Sequence, residues 1–467
     1  MPKVLLPLKG SEKIGLVGLG TSTRGVAEVL AHAGVRSLTV RTARSVPAAL
    51  PPALALRWYT GDALYDELSE DLLFFSPSAR REDPRLLAAA ERGCRFSSDA
   101  ELFFRYTHSP VFAVTGSDGK STTATLTSLL LSAGESDVRL AGNIGRALSP
   151  LLLSEKQNSV TVAELSSFQL LYFRPHTRRA VITNLTPNHL DVHRDFAEYR
   201  EAKSHLLTNA EDAVLSADDE GCVSLFAGIR PFAVFSLRET LPSLLRYRAR
   251  HVLTLADDAV ALDGRRLLPL SEIRLHGAHN IKNFMAAIAL TLGYTDEERI
   301  LSVARTFSGI SHRAETVAVC DGVRYVDSSA DSSPSRTLTT LAATEGSPVL
   351  LVGGRGKGVP FDALAPVLLS KARVLILFGE TGREIASLIG GGTEGGATVL
   401  EAGNFREAVR LAVLAARPGD TVLLSPASTS FDEFRNFEER GDAFRAEVLA
   451  MTAHLPKKQE RKGNFNS

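Results

Sequence analysis

This chain has few cysteines, no net charge and no long apolar runs, and each of these features excludes a class of protein. Its three cysteines are odd in number and far apart, so they suit a reducing compartment rather than a disulfide framework or a metal knuckle. Lys plus Arg and Asp plus Glu both total 53, so no overall field attracts nucleic acid or an acidic membrane. No apolar run approaches a membrane span or a signal peptide. We therefore expect a cytoplasmic soluble protein.

A length of 467 residues is too long for one hydrophobic core and, at about 150 residues per domain, suggests three. Strand-like and helical stretches alternate, which predicts an α/β fold of three domains in series. Residues 1–107 open with a strand, Gly18-Leu19-Gly20 and a helix, as in a dinucleotide fold. Residues 108–309 form a central domain with a mostly parallel sheet and a small antiparallel addition between 225 and 275. Residues 310–456 are predicted as a second doubly wound domain, and 457–467 as a disordered tail.

The most informative stretch is a glycine-containing turn between a predicted strand, 111–114, and a predicted helix. Backbone N–H groups at such a turn point at phosphates, a lysine adds charge, and the following hydroxyl can ligate Mg²⁺. Valine stands where the common phosphate-loop pattern has its first glycine, which favours a particular subclass of loop; an ordinary glycine turn is the alternative. The predicted triphosphate loop comprises Thr115, Gly116, Ser117, Asp118, Gly119, Lys120, Ser121 and Thr122.

Other polar residues follow predicted strands at the same sheet edge. Glu164 ends the strand 159–164, where a carboxylate would be a natural Mg²⁺ ligand, with a helix N-cap as the alternative. His189 follows the strand 179–184, and both a functional and a structural role stay open. On spacing alone Lys203 would be an ordinary exposed lysine. Asn280 and Asn283 share a helix face that suits a flat heterocycle, although capping is the alternative.

Taken together, these stretches resemble the Mur ligase family, whose ATP loop reads Thr-Gly-x-(Asn/Asp)-Gly-Lys-(Ser/Thr). The matching segments follow the family's order: 18–20, 115–122, 142–145, 164–169, 188–191, 199–203, 279–283, 312–313, 327–328, 424–428 and 437–441. The resemblance implies an ATP-dependent, ADP-forming amide-bond ligase of peptidoglycan synthesis that works through an acyl phosphate. It favours the branch that adds D-glutamate to UDP-N-acetylmuramoyl-L-alanine, as a monomer without nucleic-acid or membrane partners.

The resemblance also implies roles for particular residues. Lys120, His189 and Lys203 would be catalytic, the last as a carbamylated lysine, because a carbamate turns a cation into an anion that supports Mg²⁺. Two Mg²⁺ sites would draw on Ser121, Glu164, His189 and Lys203. Nucleotide contacts beyond the loop would be Asn280, Asn283, Arg313 and Asp327. Substrate contacts would be Thr21, Ser22, Thr42 and Ser76 at the UDP end, Asn143, Ser166 and Gln169 along the muramoyl-peptide path, and Lys357, Ser430 and Phe437 near the amino acid.

This chain departs from the family's usual pattern at two places, one near the amino-acid substrate and one near the uracil. The family usually has Asp-Ser-Lys-Ala-Thr-Asn where this chain has Asp-Ser-Ser-Ala-Asp-Ser at 327–332. Ser329 thus replaces a cation, and Asp331 would repel an anionic amino acid. Arg336 or Arg355 could supply the lost charge. Arg41 stands where the family often has an acidic uracil contact.

Three other functions stay open. A sister ligase would add L-glutamate or another amino acid. A folylpolyglutamate-type ligase shares the central loop, but the glycine-rich first section and the stretch 425–441 disfavour it. A non-catalytic scaffold that uses ATP as a switch is disfavoured by the joint presence of Lys120, Glu164, His189 and Lys203.

Overall fold

The computed structural model describes residues 12–43, 50–132, 136–187, 192–356, 359–390 and 396–453. Within these ranges no helix combines the length and apolar character that crossing a membrane requires. The described residues form three sheets in series, which confirms the predicted three-part α/β fold. The chain divides into two compact units, Met1–Phe307 with the first two sheets and Ser308–Ser467 with the third.

The first sheet is parallel throughout. Its strands are β1 (Ile14–Val17), β2 (Ser37–Thr42), β3 (Ala55–Thr60), β4 (Leu72–Phe75) and β5 (Arg95–Ser98), in the spatial order β3-β2-β1-β4-β5. Its helices are α1 (Thr21–His32), α2 (Pro84–Glu91) and α3 (Asp99–Tyr106). The sequence pattern missed β3 and β5 because both are edge strands without a continuous apolar run. Since β1 lies between β2 and β4, their carboxyl ends form the crevice in which such sheets bind ligands.

In the second sheet most neighbouring strands are parallel, and the last strands along the chain are antiparallel. Its strands are β6 (Val111–Thr115), β7 (Asp137–Gly142), β8 (Ser159–Glu164), β9 (His176–Ile182), β10 (Asn209–Ser216), β11 (Ala233–Ser236), β12 (His251–Ala256), β13 (Ala259–Leu262) and β14 (Arg265–Pro269). The helices are α4 (Lys120–Leu131), α5 (Ser167–Leu170), α6 (Phe196–Thr208), α7 (Glu220–Leu225), α8 (Leu241–Leu244), α9 (Ala278–Thr291) and α10 (Glu297–Thr306). The order is β14-β13-β12-β11-β10-β9-β6-β8-β7. The predicted antiparallel addition is confirmed for β13 and β14, whereas β11 and β12 continue the parallel sheet.

The third sheet has helices on both faces. Its strands are β15 (Glu315–Cys320), β16 (Val323–Asp327), β17 (Val349–Gly354), β18 (Val374–Phe378), β19 (Thr398–Ala402) and β20 (Thr421–Leu424), in the order β15-β16-β20-β17-β18-β19 with only β15 antiparallel. The helices are α11 (Pro334–Ala343), α12 (Ala365–Lys371), α13 (Gly379–Ile389), α14 (Phe405–Ala415) and α15 (Phe437–Thr452). Successive side chains along β17 point to opposite faces of the sheet. Val349 and Leu351 pack in one core with α14 and α15, and Leu350 and Val352 pack in another with α12 and α13. The predicted doubly wound unit is confirmed.

One hydrophobic core runs through the first two sheets. It contains Leu16 of the first sheet and Ala113 of the second, and Leu148 and Leu151 pack into it between them. The buried carboxylate of Asp99, at the start of α3, accepts hydrogen bonds from the backbone N–H groups of Leu148 and Ser149 at 2.9 Å each. These contacts explain why residues up to Phe307 form a single compact unit.

Candidate active site

The predicted phosphate loop lies where β6 ends, between β8 and β9, and α4 begins at Lys120. Gly116 and Gly119 have φ of +149° and +73°, in the region that favours glycine. A Cβ atom at Gly116 would lie 1.9 Å from Thr183 Oγ1, and one at Gly119 would lie 2.4 Å from Asn283 Oδ1. Both glycines are therefore required for the close approach of the loop to its neighbours.

Side chains from the following strand and helix hold the loop in shape. Asn184 Oδ1 accepts hydrogen bonds from the backbone N–H groups of Ser117 and Asp118, at 3.1 and 2.8 Å. The Ser117 hydroxyl contacts the Tyr199 hydroxyl at 2.8 Å. Lys120 Nζ donates to the Ser117 carbonyl at 2.7 Å. The lysine is thus directed back toward the loop that precedes its own helix.

Glu164 ends β8 and is fully buried. Its Oε1 atom accepts a hydrogen bond from Asn143 Nδ2 at 2.7 Å, while Oε2 is buried with no hydrogen-bond partner among the described residues. A buried polar atom without a partner costs about 1–3 kcal/mol, and more when it is charged. An oxygen left free in this way is suited to a hard cation such as Mg²⁺. Glu164 is not an N-cap, because α5 begins three residues later with Ser166 as its cap.

Lys203 lies on α6 and is 2% exposed, which the spacing argument did not predict. Its Nζ atom donates to the Gly116 carbonyl at 2.7 Å and to Thr115 Oγ1 at 3.2 Å. Burial, reinforced by the nearby charge of Lys120, holds the pKa of the Lys203 amine well below its usual range. Because a depressed pKa favours the neutral form, this amine is a better nucleophile than an exposed lysine.

Two amides connect α9 to the phosphate loop. Asn283 Oδ1 accepts from Thr123 Oγ1 at 3.3 Å, and Asn283 Nδ2 donates to Asn280 Oδ1 at 3.3 Å. Asn280 Nδ2 donates in turn to the His276 carbonyl at 2.8 Å. Gly277 is the N-cap of α9, so neither amide has the capping role. Their proposed contact with a heterocycle stays a prediction.

Several predicted substrate residues lie at sheet edges as expected from the topology. Thr21 begins α1 after β1, Thr42 ends β2, and Ser76 follows β4. All three therefore lie at the carboxyl edge of the first sheet, and Ser22 is the second residue of α1. A Cβ atom at Gly18 would lie 2.2 Å from Ser76 Oγ. In the second sheet, Gln169 Oε1 accepts from the N–H and hydroxyl groups of Ser166, at 2.9 and 3.0 Å. His189 and Lys357 lie outside the described residues.

A buried polar network that the sequence reasoning missed joins the first two sheets. His193 is 2% exposed; its Nε2 atom contacts Ser167 Oγ at 2.8 Å, and its Nδ1 atom contacts Glu198 Oε2 at 3.1 Å. Arg80, in the loop after β4, donates two hydrogen bonds to Glu198 at 2.9 and 3.1 Å. These bonds hold the pKa of Glu198 well below its usual range. Because α6 carries both Glu198 and Lys203, the network connects the first sheet to the helix that contacts the phosphate loop.

The side chain of Arg41 is bound by other residues of the protein. It is fully buried and forms an ion pair with Glu70, through Nε at 2.8 Å and Nη2 at 3.1 Å. It also donates to the backbone carbonyls of Leu64 and Asp66, and its guanidinium lies 4.2 Å from the centre of the Tyr59 ring. All of these partners belong to the first sheet and its loops.

In the second unit, Asp327 is fully buried at the end of β16. Its Oδ2 atom contacts His312 Nδ1 at 2.7 Å, and its Oδ1 atom accepts from the Ser329 N–H at 2.8 Å. The bond to Asp327 raises the pKa of His312. A Cβ atom at Gly441 would lie 2.1 Å from His312 Nδ1, so glycine is needed where α15 crosses this pair. The assignment of Arg313 and Asp327 to the nucleotide stays a prediction.

Ser329 and Asp331, the two departures near the amino-acid substrate, both form hydrogen bonds within the protein. Ser329 Oγ donates to the Phe437 carbonyl at 2.8 Å and accepts from Arg440 Nε at 3.0 Å. Asp331 Oδ2 accepts from the hydroxyl groups of Thr340 and Ser425, at 2.7 and 2.8 Å. The cation next to Ser329 is therefore Arg440. Neither Arg336 nor Arg355 forms an observed hydrogen bond to Ser329. Arg336 donates to the Ala330 carbonyl. Arg355 is exposed, and its backbone pairs with that of Thr429.

The class of protein follows from comparison with known sequences. Residues 114–291 match the family described as "Mur ligase middle domain", and residues 312–428 match "Mur ligase, glutamate ligase domain". The chain belongs to the Mur ligase family, as its motifs indicated. It is an ATP-dependent, ADP-forming ligase of peptidoglycan synthesis.

Individual relatives cover nearly the whole chain. The UDP-N-acetylmuramoylalanine–D-glutamate ligase of Acetivibrio thermocellus is 34% identical over 95% of this chain and 97% of its own length. The enzyme of the same name from Symbiobacterium thermophilum is 36% identical over 95% of this chain and 99% of its own length. Among solved structures, the UDP-N-acetylmuramate-alanine ligase of Thermotoga maritima has the same fold, with a TM-score of 0.55 at 20% identity, covering 94% of this chain and 100% of that one.

Proposed function

We propose that this ligase joins D-glutamate to the alanyl carboxyl group of UDP-N-acetylmuramoyl-L-alanine while ATP is cleaved to ADP and phosphate. The names of the relatives that cover nearly the whole chain support this substrate pair. Two buried groups near one phosphate loop carry the proposal. One is the Glu164 carboxylate oxygen that has no hydrogen-bond partner among the described residues, and the other is the amine of Lys203. An ordinary glycine turn would need neither group.

We assign one substrate to each predicted domain. Residues 1–107 would hold the UDP end through Thr21, Ser22, Thr42 and Ser76, and residues 108–309 would hold ATP. Residues 310–456 would hold the amino acid through Lys357, Ser430 and Phe437. Ser430 is 2% exposed and lies in the loop between β20 and α15. We expect a monomer in the cytoplasm, in agreement with the balanced charge and few cysteines.

The donor set around the phosphate loop fits Mg²⁺. The free Oε2 atom of Glu164 and the hydroxyl of Ser121 at the start of α4 would hold one ion. His189 and Lys203, the latter as a carbamate, would hold a second. Bound Mg²⁺ supplies positive charge that stabilises phosphoryl oxygens. The lowered pKa of Lys203 favours the neutral amine and so supports the carbamate. The amine lone pair attacks CO₂, a nitrogen–carbon bond forms, and one proton leaves.

The chemistry we propose has two steps. A precursor carboxylate oxygen attacks the γ-phosphorus of ATP, the bond to ADP breaks, and an acyl phosphate forms. Lys120 and the N–H groups of the loop neutralise charge on the transferring group. The amino group of the amino acid, after losing one proton, then attacks the acyl carbon. The tetrahedral intermediate loses a second proton and expels phosphate, which leaves the amide. Asn143 and Ser166 would orient the precursor.

Phosphate release with UDP-N-acetylmuramoyl-L-alanine, ATP and each glutamate enantiomer tests the proposal. We expect turnover with the D form and little with the L form. A preference for L-glutamate would identify the sister ligase, and no turnover with either would reject the proposed substrates. Lys120→Ala should abolish precursor-dependent ADP formation; turnover that persists would show that the phosphate site is assigned wrongly.

A further inference from the structure

Among the described residues, a buried cation in the second unit lacks the anionic partner that such groups normally have. Arg440, on α15, is 1% exposed. Its Nε atom donates to Ser329 Oγ at 3.0 Å, and Nη2 donates to the carbonyls of Ser329 and Ser428 at 2.9 and 3.1 Å. Nη1 is buried without a hydrogen-bond partner among the described residues. Every observed acceptor is neutral.

The nearest carboxylates do not neutralise this guanidinium. In the part of the chain that the structure describes, no ion pair joins Arg440 to an acidic side chain, and Asp327, Asp331 and Asp432 act on it only through space. Asp327 is bound to His312, and Asp331 is bound to two hydroxyl groups. Burial lowers the pKa of Arg440 to about 10, which leaves the group charged at neutral pH. An unpaired buried charge is costly, so this guanidinium is suited to an anionic ligand that contacts within the chain do not supply.

The position of the guanidinium is that of a ligand site in an open sheet. Ser329 follows β16, Ser428 follows β20, and Gly354 ends β17, and β20 lies between the other two strands. Ligands of such sheets bind at the carboxyl ends of strands where the strand order changes. Gly354 has φ of +133°, and a Cβ atom there would lie 3.1 Å from Arg440 Nη1. Glycine therefore lets Nη1 lie close to the backbone at this edge.

The same edge carries the residues proposed for the amino acid. The Phe437 carbonyl accepts the hydroxyl of Ser329, which in turn accepts from Arg440 Nε, so one chain of hydrogen bonds connects the guanidinium to the start of α15. Ser430 is buried two residues after Ser428. We propose that Arg440 determines specificity for an acidic amino acid, because its charge, which no ion pair among the described residues neutralises, attracts the carboxylate that a neutral analogue lacks. This inference rests on the proposed function.

The test compares glutamate with its neutral isostere glutamine, in the enantiomer that the wild type uses. Arg440→Gln removes the charge, and Arg440→Lys keeps it. Arg435→Gln is the matched control, since that arginine lies five residues earlier with a side chain 88% exposed. We expect Arg440→Gln to raise KM for glutamate at least tenfold and to reduce the glutamate-over-glutamine preference by a similar factor, with KM for ATP changed less than twofold. Arg440→Lys should keep most of the preference, and the control all of it.

A structural role alone would lower activity with both amino acids and leave their ratio unchanged, and that result would overturn the inference. If Arg440→Gln does not fold, Ser329→Ala takes its place. It removes only the hydroxyl group that accepts the hydrogen bond from Arg440 Nε. It should raise KM for glutamate several-fold but not KM for ATP; an unchanged KM for glutamate would count against the inference. Failure of the proposed function differs from both outcomes, because the wild type would then not use glutamate.

Discussion

The close approach of Gly119 to Asn283 gives a prediction whose size can be worked out from the structure. Gly119→Ala places a Cβ atom 2.4 Å from Asn283 Oδ1 on a backbone with φ of +73°. The left-handed backbone costs about 1 kcal/mol for alanine. Displacing the amide loses its hydrogen bond to Thr123, about 1 kcal/mol more, and adds overpacking of about 1 kcal/mol. We therefore expect a loss of about 3 kcal/mol in the free energy of unfolding.

Two further variants separate these contributions. Gly61→Ala is the control for the backbone alone, because Gly61 has φ of +61° and a Cβ atom there would meet no other atom within 4 Å, and it should cost about 1 kcal/mol. Asn283→Ala should cost about 1 kcal/mol through its lost hydrogen bonds. In the double variant Gly119→Ala/Asn283→Ala the collision is absent, so the combined cost should be smaller than the sum by about 2 kcal/mol.

Urea unfolding monitored by tryptophan fluorescence is the assay. Trp58 is the chain's single tryptophan and lies in the same compact unit as both sites. Costs that add to within about 0.5 kcal/mol would refute the reasoning, because independent sites behave in that way. The KM for ATP should rise in Gly119→Ala and stay unchanged in Gly61→Ala.

Three other predictions concern the buried charged groups. Lys203→Ala should lower phosphate release at least about 100-fold, with partial recovery on adding acetate; no recovery would weaken the carbamate assignment. Glu198→Gln breaks the double hydrogen bond to Arg80 and should lower the free energy of unfolding in urea by about 2 kcal/mol. The loss is no larger because Arg80 is partly exposed and solvent screens the pair. An unchanged unfolding midpoint would contradict the network. The raised pKa of His312 makes the His312–Asp327 bond fully stabilising below about pH 6.5 and progressively weaker as pH rises through the raised value. The destabilisation of the second unit by Asp327→Asn should therefore be larger at pH 5.5 than at pH 9, and an equal effect at both would argue against this linkage.

Local pattern and motif order predicted much of the fold and of the phosphate site. β8 has the predicted limits, and β6 followed by α4 frames the predicted loop, because a buried strand and a phosphate-binding turn each have a strong local signature. The edge strands β3 and β19 were missed, because an edge strand needs no continuous apolar run.

The environments of single residues were harder to predict. Lys203 was expected to be exposed on spacing alone, yet it is buried against the Gly116 carbonyl, 87 positions earlier. Arg440 contacts Ser329, although the two residues are 111 positions apart in the sequence. Arg336 and Arg355 were the expected sources of positive charge, because they lie closer to Ser329 along the chain. Residue spacing reports on neighbours within one element, whereas these contacts join different strands and helices.

The amino-acid sequence by itself determined the α/β class, the position of the phosphate loop and the ligase family, because glycine placement, apolar period and motif order are properties of short segments. Only the tertiary structure decided which atoms of charged groups have no hydrogen-bond partner among the described residues, as for one oxygen of Glu164 in the first unit and one nitrogen of Arg440 in the second. Whether a buried polar atom is satisfied depends on every element packed around it, and no local stretch of sequence contains that information.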